Sequence, residues 1–323
     1  MKRYFLLGPT ASGKTRVALA LAEPLQAEIL SMDSMLVYRG MDLGTAKPTA
    51  EEQAAAPHHL IDLIDPHEEF SVARWLDAAH AVEAELAARG KNALYVGGTN
   101  LYLKARTAGL LESPPIPEEL REAVRKEGAA EGGLKTLYRQ LQEVDPDSAE
   151  RIHPNDAQRI HRAIEMYRAT GRPLTAMQQE WSPDQALGEA AVALAWPRTQ
   201  LRERVARRFD QMLEQGFLDE IRTIQAAQGF GPTAAKALGY RQILAYLAGT
   251  CTLEEARDRA VTGTRTYIRR QMTWLRSFPD LRWVEMCDDA EQPRPTAELA
   301  AACLAALNSS VTAQSPWEDP QHD

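Results

Sequence analysis

The chain has 323 residues, 44% hydrophobic and 25% charged, with 37 Lys+Arg against 45 Asp+Glu for a net charge of −8. Such a length suggests about two domains, and such a composition excludes a fibrous, collagen-like or disordered chain. No apolar run approaches the ~18 residues needed to cross a bilayer, and the negative balance argues against a generic nucleic-acid coat.

In chain order, the first hundred residues read as alternating strands and helices. Arg3–Leu7 is a short apolar strand ending at Gly8-Pro9, too brief for the core of a secretory signal. A helix over Lys14–Leu25 follows, then strands at Glu28–Ser31 and His59–Leu63. Ser71 caps a long helix, Val72–Arg89, closed by Gly90, and Asn92–Val96 is another buried strand before Gly97-Gly98-Thr99 and a helix to Ala108. This alternation predicts βαβ units and a parallel sheet, whose ligands bind beyond the carboxyl ends of the strands. Ser113-Pro114-Pro115-Ile116-Pro117 marks a boundary, and Pro117–Glu180 reads as helix with polar turns, including Asn155–Thr170 closed by Gly171. Ala190–Ala195 returns as one more strand. Helices then cover Thr199–Gln215, Leu218–Gln228, Thr233–Leu247 and Leu253–Ser277, before an edge strand at Leu281–Met286 and a last helix, Thr296–Leu307. The predicted organisation is an α/β core over 1–112, an all-helical insertion over 113–188, a return to the core over 189–307, and a disordered polar tail over 308–323.

Gly8-Pro9-Thr10-Ala11-Ser12-Gly13-Lys14-Thr15 matches the phosphate-loop pattern GxxxxGK[ST], and the motif has the strand and helix it requires on either side. Glycines let the backbone curl so that amides point inward, the helix N-terminus adds positive potential, Lys14 can reach a terminal phosphate, and Thr15 can hold Mg²⁺. An ATP-dependent kinase would ordinarily add an apolar strand ending in Asp. Here Ala93–Val96 ends in Gly97-Gly98-Thr99 instead, leaving room for an enzyme that grips a diphosphate leaving group. The acidic residue lies earlier, at Asp33 after the second strand. It faces the phosphate loop as a base or a water-mediated Mg²⁺ ligand, or else Asp33 or Ser34 is a helix N-cap. A P-loop kinase and an RNA-binding regulator without turnover remain alternatives at this point.

Charge is uneven along the chain. Residues 198–276 carry 14 Lys+Arg against 8 Asp+Glu, a local +6, which leaves −14 for the remainder (23 against 37). A basic segment in an acidic protein points to one polyanion-binding face. Cys251, Cys287 and Cys303 make neither a disulfide framework nor a zinc site, so a reducing, cytoplasmic setting is expected.

Several separated blocks occur in one order: the phosphate loop; Ser31–Pro48 with its Tyr-Arg-Gly-Met-Asp-Leu-Gly-Thr-Ala-Lys-Pro run; Pro57-His58-His59-Leu60-Ile61-Asp62; Val96-Gly97-Gly98-Thr99; Asn155–Ile160; Gly239-Tyr240-Arg241-Gln242; and Arg269–Arg276. In this the chain resembles the tRNA dimethylallyltransferases, also called tRNA isopentenyltransferases, over roughly residues 3–286. The resemblance implies a P-loop NTPase-like sheet with a helical insertion, and transfer of a dimethylallyl group from dimethylallyl diphosphate to N6 of the adenine beside the anticodon. It implies Mg²⁺, a monomer, and the anticodon stem-loop of tRNA as partner, with no membrane.

Under that resemblance Asp33 is the base and Thr99 bonds the amine or a diphosphate oxygen, while Lys14 with the amides of 10–15 holds the diphosphate, joined by Arg204 and Arg208. The implied tRNA contacts are Asp33, Ser34, Met35, Leu36, Thr99, Arg121, Gln158, Arg159, Ile160, His161, Arg162, Ala237, Leu238, Gly239, Tyr240, Arg241 and Gln242. Trp181, Trp196, Trp274 and Trp283 are expected in the core, with Tyr240 the aromatic kept for stacking.

Overall fold

The computed structural model describes residues 1–110, 116–179 and 186–309. Ser113–Pro115 of the expected boundary, Trp181 and the tail from Ser310 lie outside them. Two compact units result, Met1–Thr107 with Ala186 onward, and Ala108–Gln185.

The first unit begins with β1 (Arg3–Leu7), buried from Tyr4 to Leu7 as a central strand of a parallel sheet must be. There follow α1 (Lys14–Ala22), β2 (Ala27–Met32), α2 (Ala50–Ala55), β3 (His58–His59), α3 (Val72–Ala88), β4 (Asn92–Gly97) and α4 (Asn100–Ala108). Ser71 caps α3 by accepting the Arg74 amide. The helical unit contributes α5 (Glu118–Ala129), α6 (Gly133–Val144), α7 (Pro146–Arg151), α8 (Ala157–Thr170) and α9 (Leu174–Gln179). Its own core joins Val124, Leu137, Leu141, Ile160 and Ile164. The chain then returns to the sheet as β5 (Ala190–Ala195). Next come α10 (Arg198–Glu214), α11 (Phe217–Ala226), a 3₁₀ turn at Ala234–Lys236, α12 (Tyr240–Leu247), α13 (Leu253–Leu275), β6 (Arg282–Glu285) and α14 (Thr296–Asn308).

All strand pairings are parallel, in the order β3-β2-β4-β1-β5-β6. This register positions the site. Leu7 pairs with Gly97, and Gly97 also pairs with Met32, so β1, β4 and β2 end level with one another. The segments that leave them, at Gly8, Gly98 and Asp33, therefore emerge side by side. Gly97 is required by this close approach, because a Cβ there would lie 2.3 Å from the Met32 carbonyl oxygen.

Three expected elements differ. The third strand is only two residues long, since Leu60 and Asp62 both take positive φ and turn the chain away. The first helix stops at Ala22, and Gln26 at φ 49° redirects the chain into β2. The expected helix over Thr233–Leu247 is two pieces. Gly239, at φ 89°, breaks it, and the Gln242 side chain accepts the Gly239 amide at 2.9 Å to start α12 afresh. Among the described residues no helix is long and apolar enough to cross a membrane.

Candidate active site

The phosphate loop is wound by three positive φ angles, at Gly8 (152°), Ala11 (64°) and Gly13 (82°). Its outer side is braced by the second half of the chain. Trp196 Nε1 donates to the Ser12 carbonyl at 2.8 Å and Arg204 Nε to the Ala11 carbonyl at 2.9 Å, with the guanidinium 4.1 Å from the Trp196 ring centre. A cation stacked on an aromatic face is held in place as well as charged. Lys14 Nζ donates to the carbonyls of Gly8 and Pro9, both at 2.8 Å. Burial lowers its pKa to about 8, with Arg208 acting the same way and Asp33 opposing.

Not every amide of the loop is free for a ligand. The Thr10 N–H donates to Gln271 Oε1 at 3.0 Å and the Ser12 N–H to the Pro9 carbonyl at 3.3 Å. The amides of Ala11, Gly13, Lys14 and Thr15 have no partner among the described residues, and these can face an anion at the head of α1. The sequence-level assignment of all amides from 10 to 15 is corrected to that extent, because the tie to Gln271 is invisible locally.

Asp33 leaves β2 as the head of a turn, not of a helix. Its Oδ1 accepts the Met35 amide at 2.9 Å, and no helix starts there, so the N-cap alternative falls. Oδ2 has no hydrogen-bond partner among the described residues. Thr99, after β4, accepts the Ser34 amide at 3.2 Å and so locks the two loops together. Asp33 acts electrostatically on Lys14 and Arg208, and on the Tyr102 and Tyr267 hydroxyls, whose pKa it helps to raise. Burial chiefly pushes the Tyr267 hydroxyl, on α13, up to about 12, with Asp33 acting the same way and the neighbouring Thr99 and Gln271 side chains opposing. The cluster thus sets a carboxylate oxygen with no partner among the described residues near two half-buried cations, one of them at the head of a helix. Such an arrangement suits a proton acceptor set beside an anion-binding loop.

Two residues that sequence reasoning missed hold the segment after Asp33. Glu220 of α11 accepts the amides of Asp42 (3.0 Å), Leu43 (2.6 Å) and Gly44 (3.4 Å), and the Tyr240 hydroxyl at 2.6 Å. Lys47, nearly fully buried, donates to the Tyr38 carbonyl at 2.8 Å and to Asp62 at 2.5 Å, and pairs with Asp42 at 2.6 Å. Glu220→Ala would strand those donors, of which only the Tyr240 hydroxyl belongs to a fully buried residue, and a buried stranded donor costs about 1–3 kcal/mol. The expected result is a loss of about 2–3 kcal/mol, read from the urea midpoint, with faster amide exchange over the 33–48 segment as it loosens. An unchanged midpoint would show that solvent replaces the carboxylate.

Tyr240 is the clearest correction. It is fully buried, edge-on to Phe217 at 4.9 Å between ring centres and bonded to Glu220, so it is a core residue, not a stacking platform. Ala237, Gly239 and Gln242 are buried with it, Leu238 is half-buried and Arg241 is exposed. In the helical unit, Gln158, Arg159 and Arg162 are exposed on α8, Ile160 is buried in that unit's core, and His161 packs on Gly128 with Nε2 buried. Arg121 pairs with Glu118 one turn away at 3.4 Å. Arg208 sits near the phosphate loop with its Nη2 3.4 Å from the Thr45 carbonyl. Trp196 is buried, while Trp274 and Trp283 are half-buried against the core.

The chain matches the family model described as IPP transferase over residues 36–278 and that described as isopentenyl transferase over residues 1–62. It is 47% identical over 302 residues to a tRNA dimethylallyltransferase of Thioalkalivibrio sulfidiphilus, covering 92% of each chain. The chain belongs to the IPP transferase family. Among solved structures of this family's fold, a full-length tRNA isopentenylpyrophosphate transferase of Bacillus halodurans is 36% identical, with a TM-score of 0.66 over 95% of this chain and 96% of that one. A eukaryotic dimethylallyltransferase acting on tRNA is 25% identical, with a TM-score of 0.75 over 93% of this chain and 78% of the other. For an IPP transferase the phosphate loop followed by no Walker B aspartate makes sense, since nothing has to move a phosphoryl group. The kinase alternative is not favoured.

Proposed function

We propose that the chain transfers a dimethylallyl group from dimethylallyl diphosphate to N6 of the adenosine that follows the anticodon in tRNA, releasing diphosphate. The observation that carries this reading is Asp33, with Oδ2 unpartnered among the described residues, within electrostatic reach of Lys14 and Arg208. An exocyclic adenine amine is a weak nucleophile, because its lone pair is delocalised into the ring. Asp33 Oδ2 takes a proton from the amine as the C–N bond forms, while the allylic C–O bond breaks and its electron pair leaves with the diphosphate. The Lys14 ammonium, Arg208 and the amides of Ala11, Gly13, Lys14 and Thr15 stabilise that departing charge. Thr99 Oγ1 accepts the Ser34 amide with one of its two lone pairs, which suits it to orient the Asp33 turn and to accept the amine's other N–H with the second.

The donors present fit Mg²⁺ only as a shared ion. Among the described residues no group of three His, Cys, Asp or Glu side chains could hold a metal alone, but the Thr15 hydroxyl with diphosphate oxygens, and Asp33 through water, make a usual Mg²⁺ set. Bound there, the ion would add charge stabilisation to the leaving group. The tRNA must surrender one base from its loop, at a cost of a few kcal/mol, and phosphate contacts must offset this. Exposed Arg241, Arg265, Arg269 and Arg276 of the basic segment, and Gln158, Arg159 and Arg162 of α8, are suited to such contacts. We take the protein to act as a monomer in a reducing compartment.

The direct test is incubation with labelled dimethylallyl diphosphate and an anticodon stem-loop carrying the adenosine. Prenylated RNA and one diphosphate per turnover are expected; robust ATP hydrolysis without prenyl product would overturn the reading. A second check is ionic. With about six phosphates neutralised, RNA affinity should fall roughly 10³-fold between about 50 and 200 mM salt, and a flat dependence in filter binding would deny the basic segment its role.

A further inference from the structure

Gln271 is the only buried polar residue of α13, at 3% exposure, and the two groups its amide bonds lie far from it in sequence. Its amide is used at both ends. Oε1 accepts the Thr10 amide of the phosphate loop at 3.0 Å, and Nε2 donates to the Gly98 carbonyl at 2.8 Å, one residue before Thr99. The Tyr267 side chain, one turn earlier on α13, lies beside both Gln271 and Thr99. Gly98 has no room for a side chain, since a Cβ would meet Gln271 Nε2 at 2.4 Å and the Gly8 carbonyl oxygen at 2.8 Å. A continuous set of hydrogen bonds therefore runs from the phosphate loop through Gln271 to the segment after β4. It continues from Thr99 Oγ1 to the Ser34 amide, and the Asp33 turn closes on Met35.

We infer that Gln271 is a positioning residue that fixes the separation between the diphosphate cradle and the Asp33 carboxylate. It occupies one loop amide that could otherwise turn toward a phosphate, and it does so with a neutral carboxamide that accepts at one end and donates at the other. A carboxylate would repel the Gly98 carbonyl, and an ammonium would repel the Thr10 N–H. The role needs no contact between Gln271 and either substrate, since both ends of its amide are held by the protein. Its effect falls on the geometry of the reacting pair, where a misplacement of about 1 Å costs on the order of 10²-fold in rate. This rests on the prenyl-transfer reading given above.

The test compares wild type with Gln271→Met, close in length and shape but unable to make either bond, and Gln271→Glu, which keeps the acceptor for Thr10 and loses the donor for Gly98. Single-turnover prenyl transfer to the stem-loop gives the chemical rate, and separate titrations give the Kd of inorganic diphosphate and of the stem-loop. The expected result is a rate reduced about 10- to 100-fold in Gln271→Met, with both Kd values within about threefold of wild type. Gln271→Glu should lose rate in the same selective way. Equal losses in rate and affinity, a rate within threefold of wild type, or failure of both variants to fold would each overturn the positioning role. Absence of prenyl transfer by wild type would instead remove the functional reading on which it stands.

Discussion

Asp33→Asn should slow prenyl transfer by about 10²- to 10⁴-fold, the usual contribution of a positioned general base, while leaving RNA binding nearly intact. The variant is chosen from the geometry. Asparagine keeps an oxygen for the Met35 amide, which Asp33 Oδ1 accepts at 2.9 Å, so the turn and its tie to Thr99 survive. What is lost is the second oxygen's ability to take a proton, and the negative charge that stands among Lys14, Arg208 and Tyr267. Two readouts separate the roles. The single-turnover rate with saturating substrates reports the base, and the Kd of the stem-loop reports recognition. A rate near wild type would remove Asp33 as the base, whereas a Kd weakened as much as the rate would make it chiefly a recognition group.

Lys14→Met should cost about 10²- to 10³-fold in rate and weaken inorganic diphosphate, the size of effect seen when one preorganised donor to a developing anion is deleted. The ammonium also predicts a pH dependence whose direction follows from its surroundings. Burial lowers the Lys14 pKa to about 8 in the ligand-free chain, and a bound diphosphate would raise it again. Binding therefore takes up a proton above that pH. Relative to Lys14→Arg, in which only the ligand's own ionisation acts, affinity for inorganic diphosphate should fall above about 8 by as much as tenfold per unit as the pH rises. Arg208 and Arg204 stay charged throughout and cannot produce that difference. Calorimetry in two buffers of different ionisation heat would show the proton uptake. Lys14→Arg should bind diphosphate without this added fall, and a wild-type profile parallel to that of Lys14→Arg would assign the titration to another group.

How much of this site could be read from the chain by itself varies with distance along it. The phosphate loop is contiguous from Gly8 to Thr15, and its strand and helix announce themselves through apolar runs on either side, so both the motif and its setting were legible. The strands Arg3–Leu7 and Ala190–Ala195 have their expected bounds because an unbroken apolar run between polar breakers admits few other readings. The basic balance of residues 198–276 was equally a matter of counting. Helix ends were recovered where a local signal exists, as with Ser71 ahead of α3.

The tertiary structure decided everything that depends on partners far apart. Gln271 meets Thr10 across 261 residues and Glu220 meets Asp42 across 178, and no periodicity or spacing encodes such a meeting. It decided that Tyr240 is a core ring rather than a stacking surface, because only packing against Phe217 and Glu220 shows which way the ring points. It also broke the helix expected at Thr233–Leu247, where Gly239 at φ 89° allows a bend that an apolar periodicity alone would run through. Short-range order follows from local sterics and side-chain period, which any contiguous stretch carries within itself. Buried polar partners are chosen by what the parallel sheet brings level at its carboxyl edge, and that choice exists only once β1, β2 and β4 have found their register.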